Sequence, residues 1–264
     1  MTLTRLLAAL VGLAIILPAI LWGGPWAVEG LVAVAGLLAL DEYARMAFPK
    51  DNRAALTWHV GASAVVFVAV VHGNAALAGG AAAFAVMGSM AYVALRPGDA
   101  LEGAADRVAR HVLGIGWVGL LVSLVLLRRL DHGVAWIFLC LTIPWAGDTG
   151  AYFAGRAFGS HPMAPRISPK KTWEGFAGGI TMSIVGVFIV RAVGNLPLSI
   201  VEGVVLGALL GAAAVLGDLS ESLLKRAFDV KDSGWIMPGH GGILDRIDSL
   251  LFVAPLLYLF AALR

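Results

Sequence analysis

The chain has a single cysteine, Cys140, in 264 residues. One thiol excludes an internal disulfide and any cysteine-ligated metal cluster. Set in an apolar run, Cys140 reads as a buried packing residue. Charge is scarce too: only 14% of residues are Asp, Glu, Lys or Arg, against about 25% in soluble domains. The net charge of +2 excludes the broad basic surface that duplex nucleic acid demands. Long linkers, low-complexity tails and internal repeats are missing. What fills the chain is apolar: 59% hydrophobic residues and a mean hydropathy of +0.87. This composition predicts an all-α, polytopic transmembrane helix bundle. It forms one membrane domain over 1–264, with apolar helices in 1–130 and the polar motifs in 131–264.

A helical crossing takes about 20 apolar residues. Runs of that kind lie near 6–22, 25–41, 55–72, 75–95, 109–127, 133–155, 174–194, 198–217 and 247–263, which predicts about nine spans. The first is read as a retained anchor, since its apolar core is long and no small-x-small cleavage site follows. Placing the N-terminus in the cytoplasm puts fifteen Lys and Arg residues inside and four outside, the expected bias. The polar loops 156–173 and 218–246 then face the cytoplasm, where nucleotides and magnesium are available. Glycine is abundant, at 33 residues. The four-residue spacing of Gly175/Gly179 and Gly207/Gly211 predicts close helix packing within the monomer, with a dimer seam as the alternative.

Three polar stretches interrupt this background. In 217–248, Asp218 closes the eighth run and Asp245 precedes the ninth, so two helix ends can present carboxylates at one depth. Hard divalent cations bind such oxygens, and Mg²⁺ takes one or two of them plus substrate phosphates. Lys225, Arg226, Lys231 and Arg246 supply donors for phosphate oxygens. Gly239, Gly241 and Gly242 permit tight turns and close approach of N–H groups to an anion. Asp232, Ser233 and Gly234 read as a turn that positions Lys231. His240 is read as a hydrogen-bond donor, with metal ligand and base as alternatives. The second stretch centres on Asp148, inside the sixth run; a carboxylate there needs a partner or a wet cavity. It is read as a third metal or nucleotide contact, a structural ion pair being the alternative. The third is Arg166-Ile167-Ser168-Pro169-Lys170-Lys171-Thr172-Trp173-Glu174-Gly175. Ser168 or Thr172 can cap the following helix, whose N-terminus favours phosphate. Glu29, Asp41 and Glu42 border or enter the second run without an assigned role, and the histidines outside 217–248 are assigned no chemistry.

Ser222-x-x-Lys225-Arg226-x₄-Lys231-Asp232-x-Gly234-x₃-Pro238-Gly239-His240-Gly241-Gly242-Ile243-x-Asp245-Arg246-Ile247-Asp248 resembles the signature of the phosphatidate cytidylyltransferase (CDP-diacylglycerol synthase) family. Gly-Asp-Thr-Gly-Ala-Tyr at 147–152 and Ser-Pro-Lys-Lys-Thr-Trp-Glu-Gly at 168–175 resemble it as well. These motifs occupy about the last 120 residues. Met237 stands where a branched or aromatic apolar residue is expected, a conservative departure.

The resemblance implies that CTP and phosphatidate become CDP-diacylglycerol and pyrophosphate. It also implies Mg²⁺, with a monovalent cation such as K⁺ in the same site, a bacterial cytoplasmic membrane, and a homodimer. Asp218 and Asp245 are the implied metal ligands; with Lys225 and Arg246 they form the expected catalytic set. Asp148, Ser168, Lys170, Lys171, Thr172, Ser222, Arg226, Lys231, Asp232, His240, Gly241, Gly242 and Asp248 are the expected substrate contacts. A phosphate monoester has a second pKa of about 6, so the nucleophile needs no strong base. The obstacle is the repulsion of two polyanions, which cations relieve. A CTP-dependent enzyme acting on an isoprenoid lipid is the alternative, and a cation-coupled transporter a more distant one. The Asp-Gly-x₂-Ala-Arg core of CDP-alcohol phosphotransferases is absent.

Overall fold

The computed structural model describes residues 3–96, 101–235 and 241–264. In chain order the helices are α1 (Leu3–Leu21), α2 (Gly24–Ala47), α3 (Asn52–His72), α4 (Ala75–Ala94), α5 (Ala104–Gly119), α6 (Val122–Arg129) and α7 (Gly133–Phe158). A short antiparallel hairpin follows, β1 (Pro162–Ala164) and β2 (Ser168–Thr172), and then α8 (Trp173–Gly194), α9 (Ile200–Ala227) and α10 (Leu244–Ala262). Each of the nine apolar runs falls on helix, with the fifth run divided between α5 and α6. Among the described residues, seven helical segments are long and apolar enough to cross a membrane. They are 24–47, 52–72, 75–94, 104–129, 133–158, 173–194 and 200–227. Asp245, Arg246 and Asp248 make the first turns of α10 polar.

The outward surface is apolar, as a bundle in lipid requires. Trp22 is 79% exposed and Val193 82%, and Met87, Ile200 and Leu209 also face outward. The core runs along α2, α6, α7, α9 and α10 through Leu40, Tyr43, Val125, Leu139, Leu210, Leu251 and Leu257. Small residues set the closest approaches. α7 and α8 make the most extensive contact in the molecule. A Cβ at Gly179 would lie 3.1 Å from the Gly147 carbonyl oxygen, and one at Gly175 3.1 Å from that of Ala151. Gly207 and Gly211 instead face Ile184 and Ser183 of α8. Both four-residue glycine pairs are therefore seams inside the monomer.

Polar contacts sort the helix ends into two sets. At one end Arg96 pairs with Asp51, Arg110 donates to the Ala47 carbonyl at 3.0 Å, and Arg45 covers the Trp235 ring at 4.9 Å. At the other, Arg129 pairs with Glu29 at 2.5 Å and Arg264 with Glu202 at 3.4 Å. The polar connection 159–172 and the described residues 228–235 lie at the first end.

Two local expectations change. Asp218 does not end a helix: α9 continues to Ala227. The segment 218–227 is rich in helix formers, carries a Glu221–Lys225 pair at 2.5 Å, and ends on Lys225 and Arg226, which complement the helix dipole. The connection 156–173 is part hairpin, with Pro162 opposite Thr172 and Ala164 opposite Ser168.

The α7–α8 seam yields a stability test. A Cβ at Gly178 would lie 2.8 Å from the Gly150 carbonyl oxygen. Gly178→Leu is expected to cost about 1–3 kcal/mol by overpacking, read as a lower melting temperature in detergent. Gly30→Leu, where nothing lies within 4 Å of the added Cβ, leaves that temperature unchanged.

Candidate active site

Residues 218, 221, 222 and 225 share one face of α9 at helical spacing, as do 245, 248 and 249 on α10. Gly217 lets these faces meet: a Cβ there would lie 2.6 Å from the Asp248 carbonyl oxygen. Ser249 Oγ donates across to the Ala214 carbonyl at 3.0 Å. The polar ends of both faces therefore lie side by side.

One cluster gathers on Lys225. Its ammonium donates to Glu221 Oε2 and to Asp245 Oδ1, each at 2.5 Å. Asp245 Oδ2 accepts from the Gly242 amide at 2.8 Å and the Ser233 amide at 3.2 Å. Ser233 Oγ lies 2.8 Å from Asp245 Oδ2 and 3.2 Å from Glu42 Oε2; with one proton it donates to one of them at a time. Gly241 has φ +81°, and a Cβ there would lie 2.6 Å from Asp245 Oδ2. Glycine is required at this turn for both its conformation and its bulk. Glu221 Oε1 is buried without a hydrogen-bond partner among the described residues.

A second cluster gathers on Asp218, which pairs with Lys171 of β2 at 2.7 Å and accepts from Ser222 Oγ at 3.4 Å. The carboxylates of Asp148 and Asp248 each lie within electrostatic reach of Asp218, and the Arg246 guanidinium within reach of Asp148. Asp148, Lys170, Lys171, Thr172 and Asp218 line a cavity of about 220 Å³ between α7, α8, α9 and the hairpin. Its remaining wall is apolar, including Pro144, Phe176 and Val215. Thr172 caps α8, its Oγ1 accepting from the Gly175 amide at 3.1 Å. Glu174 ties the hairpin to that helix start, accepting from the Ser160 amide at 3.2 Å and contacting His161 Nδ1 at 2.5 Å. The arrangement offers cations and a helix N-terminus to phosphates, carboxylates to a metal, and an apolar wall to a lipid.

Not every expected contact joins these clusters. Ser168 sits on β2 opposite Ala164 and is not among the residues lining the cavity. Arg226 is exposed and reaches the Val230 carbonyl at 3.4 Å. Lys231 and Asp232 are exposed beyond α9. The turn there presents Ser233, only 4% exposed, to the interior rather than Lys231. His240, with Pro238 and Gly239, lies outside the described residues. Glu42, Glu221 and Ser233 belong to the network without having been assigned to it from sequence. The signal for Glu42 was a carboxylate in an apolar run; its partners lie about 200 positions away.

Residues 3–264 match the sequence profile of the cytidylyltransferase family. A phosphatidate cytidylyltransferase of Bacillus subtilis (strain 168) is 49% identical over 138 residues, 52% of this chain and 51% of that protein. One from Haemophilus influenzae is 45% identical over 128 residues, 47% and 44% of the two chains. One from Staphylococcus epidermidis is 48% identical over 127 residues, 48% and 49%. The chain thus spans about half the length of the curated relatives it matches.

Lys225 is the only cation contacting Glu221 and Asp245 among the described ion pairs. Lys225→Met strands two largely buried carboxylates. It is expected to cost about 3–5 kcal/mol, measured by thermal unfolding in detergent. Adding Glu221→Gln recovers part of that loss, because one stranded charge is removed.

Proposed function

The chain belongs to the cytidylyltransferase family, and on that premise we propose that it transfers the cytidylyl group of CTP to phosphatidate, giving CDP-diacylglycerol and pyrophosphate. The observation that carries this reading is the cavity lined by Lys170, Lys171, Thr172, Asp148 and Asp218 beside an apolar wall. That cavity suits a head group carrying phosphate on an apolar stem. The relatives' names supply the substrate pair.

A phosphate oxygen of the lipid attacks the α-phosphorus of CTP, forming the new P–O bond. The bond from that phosphorus to the bridging oxygen breaks, and pyrophosphate leaves with the electron pair. Lys170 and Lys171 offset the charge of the converging phosphates, and the capped N-terminus of α8 adds its dipole. Lys225 holds Asp245 in place from α9. No side chain has to remove a proton, because the monoester is largely ionised at neutral pH.

The donor set fits Mg²⁺. Asp218, Asp148 and Asp248 supply hard carboxylate oxygens within electrostatic reach, with Asp245 on the same end of α10 as Asp248. No three His, Cys, Asp or Glu side chains among the described residues converge to hold a metal alone. That suits an ion completed by substrate phosphates. Asp218 and Asp245 would hold it, in competition with Lys171 and Lys225 for the same oxygens. When bound, it neutralises phosphate charge and stabilises the leaving group. A monovalent cation such as K⁺ would share this acidic environment, with the orphaned Glu221 Oε1 as a further donor. The proposal extends to a homodimer in a bacterial cytoplasmic membrane with both clusters facing the cytoplasm. The excess of Lys and Arg at that end of the bundle supports this orientation.

Purified protein is expected to incorporate radiolabelled CTP into lipid with phosphatidate and Mg²⁺. Chelation by EDTA stops incorporation, and isoprenoid phosphates do not replace phosphatidate. Asp218→Asn and Asp245→Asn each lower turnover by about 100-fold or more, and His240→Ala lowers it less than Asp245→Asn. Incorporation with an isoprenoid phosphate alone would overturn the choice of lipid.

Orientation is tested separately. In a Cys140→Ala background, a membrane-impermeant thiol reagent should label Ser160→Cys only from the cytoplasmic side and Asp131→Cys only from the opposite side. The reverse pattern would overturn the topology.

A further inference from the structure

Helix α10 begins without a local cap: Ile243 precedes it and no side chain of that residue accepts a hydrogen bond. The first amides of a helix lack intrahelical partners and attract negative charge. Here the partner comes from another helix. Glu42, on α2 and 1% exposed, accepts from the Ile243 amide through Oε1 and from the Leu244 amide through Oε2, both at 2.9 Å. The loop is shaped around this carboxylate. A Cβ at Gly234 would lie 2.5 Å from Glu42 Oε1, and one at Gly242 would collide with the same group. Ser233 Oγ stands between Glu42 Oε2 and Asp245 Oδ2. Asp245 in turn meets Lys225.

We propose that Glu42 is a positioning residue for the transfer reaction: it docks the N-terminus of α10 and, through Ser233, sets the Asp245 carboxylate against Lys225. Its catalytic consequence rests on the cytidylyl-transfer reading, whereas the docking itself does not. An N-terminal helix outside the motif-bearing segment thereby becomes part of the machinery. Neither atom pair involves substrate, so Glu42 acts only through the residues it holds.

The test combines hydrogen–deuterium exchange with kinetics on the full chain in detergent. Glu42→Gln keeps the shape but loses the charge and one acceptor facing an amide. Exchange in 241–248 is expected to accelerate about tenfold or more, the factor for losing one charge-assisted hydrogen bond. Turnover falls by a similar factor, while KM for CTP changes less than about twofold. Ser233→Ala lowers turnover but leaves exchange at Ile243 and Leu244 near wild type, because their acceptor remains. Glu202→Gln, which takes the charge from the capping box at the opposite end of the bundle, controls for general loosening. Unchanged exchange in Glu42→Gln, or equal acceleration in Glu202→Gln, would overturn the proposal. Should Glu42→Gln not fold, Glu42→Asp carries the same exchange test on a shortened stem. If wild-type protein transfers no cytidylyl group, the functional reading fails while the exchange pattern still decides the role of Glu42.

Discussion

A buried charge junction organises the polar end of this bundle. Lys225 of α9 meets Glu221 of its own helix and Asp245 of α10, and Asp245 shares Ser233 with Glu42 of α2. Isolated charges are costly in such surroundings, so each must find its partner for the others to remain. Two consecutive helices and a third near the start of the chain are thereby drawn to one point. The geometry is set by short hydrogen bonds, which are directional in a way that apolar packing is not.

The glycines around the junction serve the same constraint. Gly217 allows α9 and α10 to touch. Gly241 turns the chain at positive φ beside Asp245, and Gly234 and Gly242 leave room for the Glu42 carboxylate. The second cluster is built differently. Asp218 looks across to a β-hairpin, where Lys171 reaches it, and to Asp148 from the middle of α7. One set of carboxylates is locked by backbone amides and a lysine. The other lines an open cavity beside an apolar wall.

Much of this was legible before any coordinates. Apolar runs located the helices because a span in lipid must satisfy its own backbone and present an apolar surface. The acid, base and glycine grouping in 217–248 stood out because such groups are rare between spans. The habit of serine and threonine at helix starts left Ser168 or Thr172 as the cap of α8, and the structure has Thr172 accepting from Gly175. The end of α9 was misread. Asp218 interrupts hydrophobicity without interrupting helix propensity, so a hydropathy boundary stood in for a helix boundary. The hairpin at 162–172 was missed because its strands are short and polar.

The sequence by itself determined the class of the molecule and the chemical inventory of its polar segments, since both depend on composition and local order. Tertiary structure decided which members of that inventory meet. It separated Asp245, engaged by Lys225 and Ser233, from Asp218, engaged by Lys171. It turned Ser233 inward, where a loop reading favoured Lys231. It brought Glu42 to the start of α10 across a separation of about 200 residues. Local pattern carries no record of such a distance, because the energy of that contact arises only when packed helices exclude water from the carboxylate and amides they bring together.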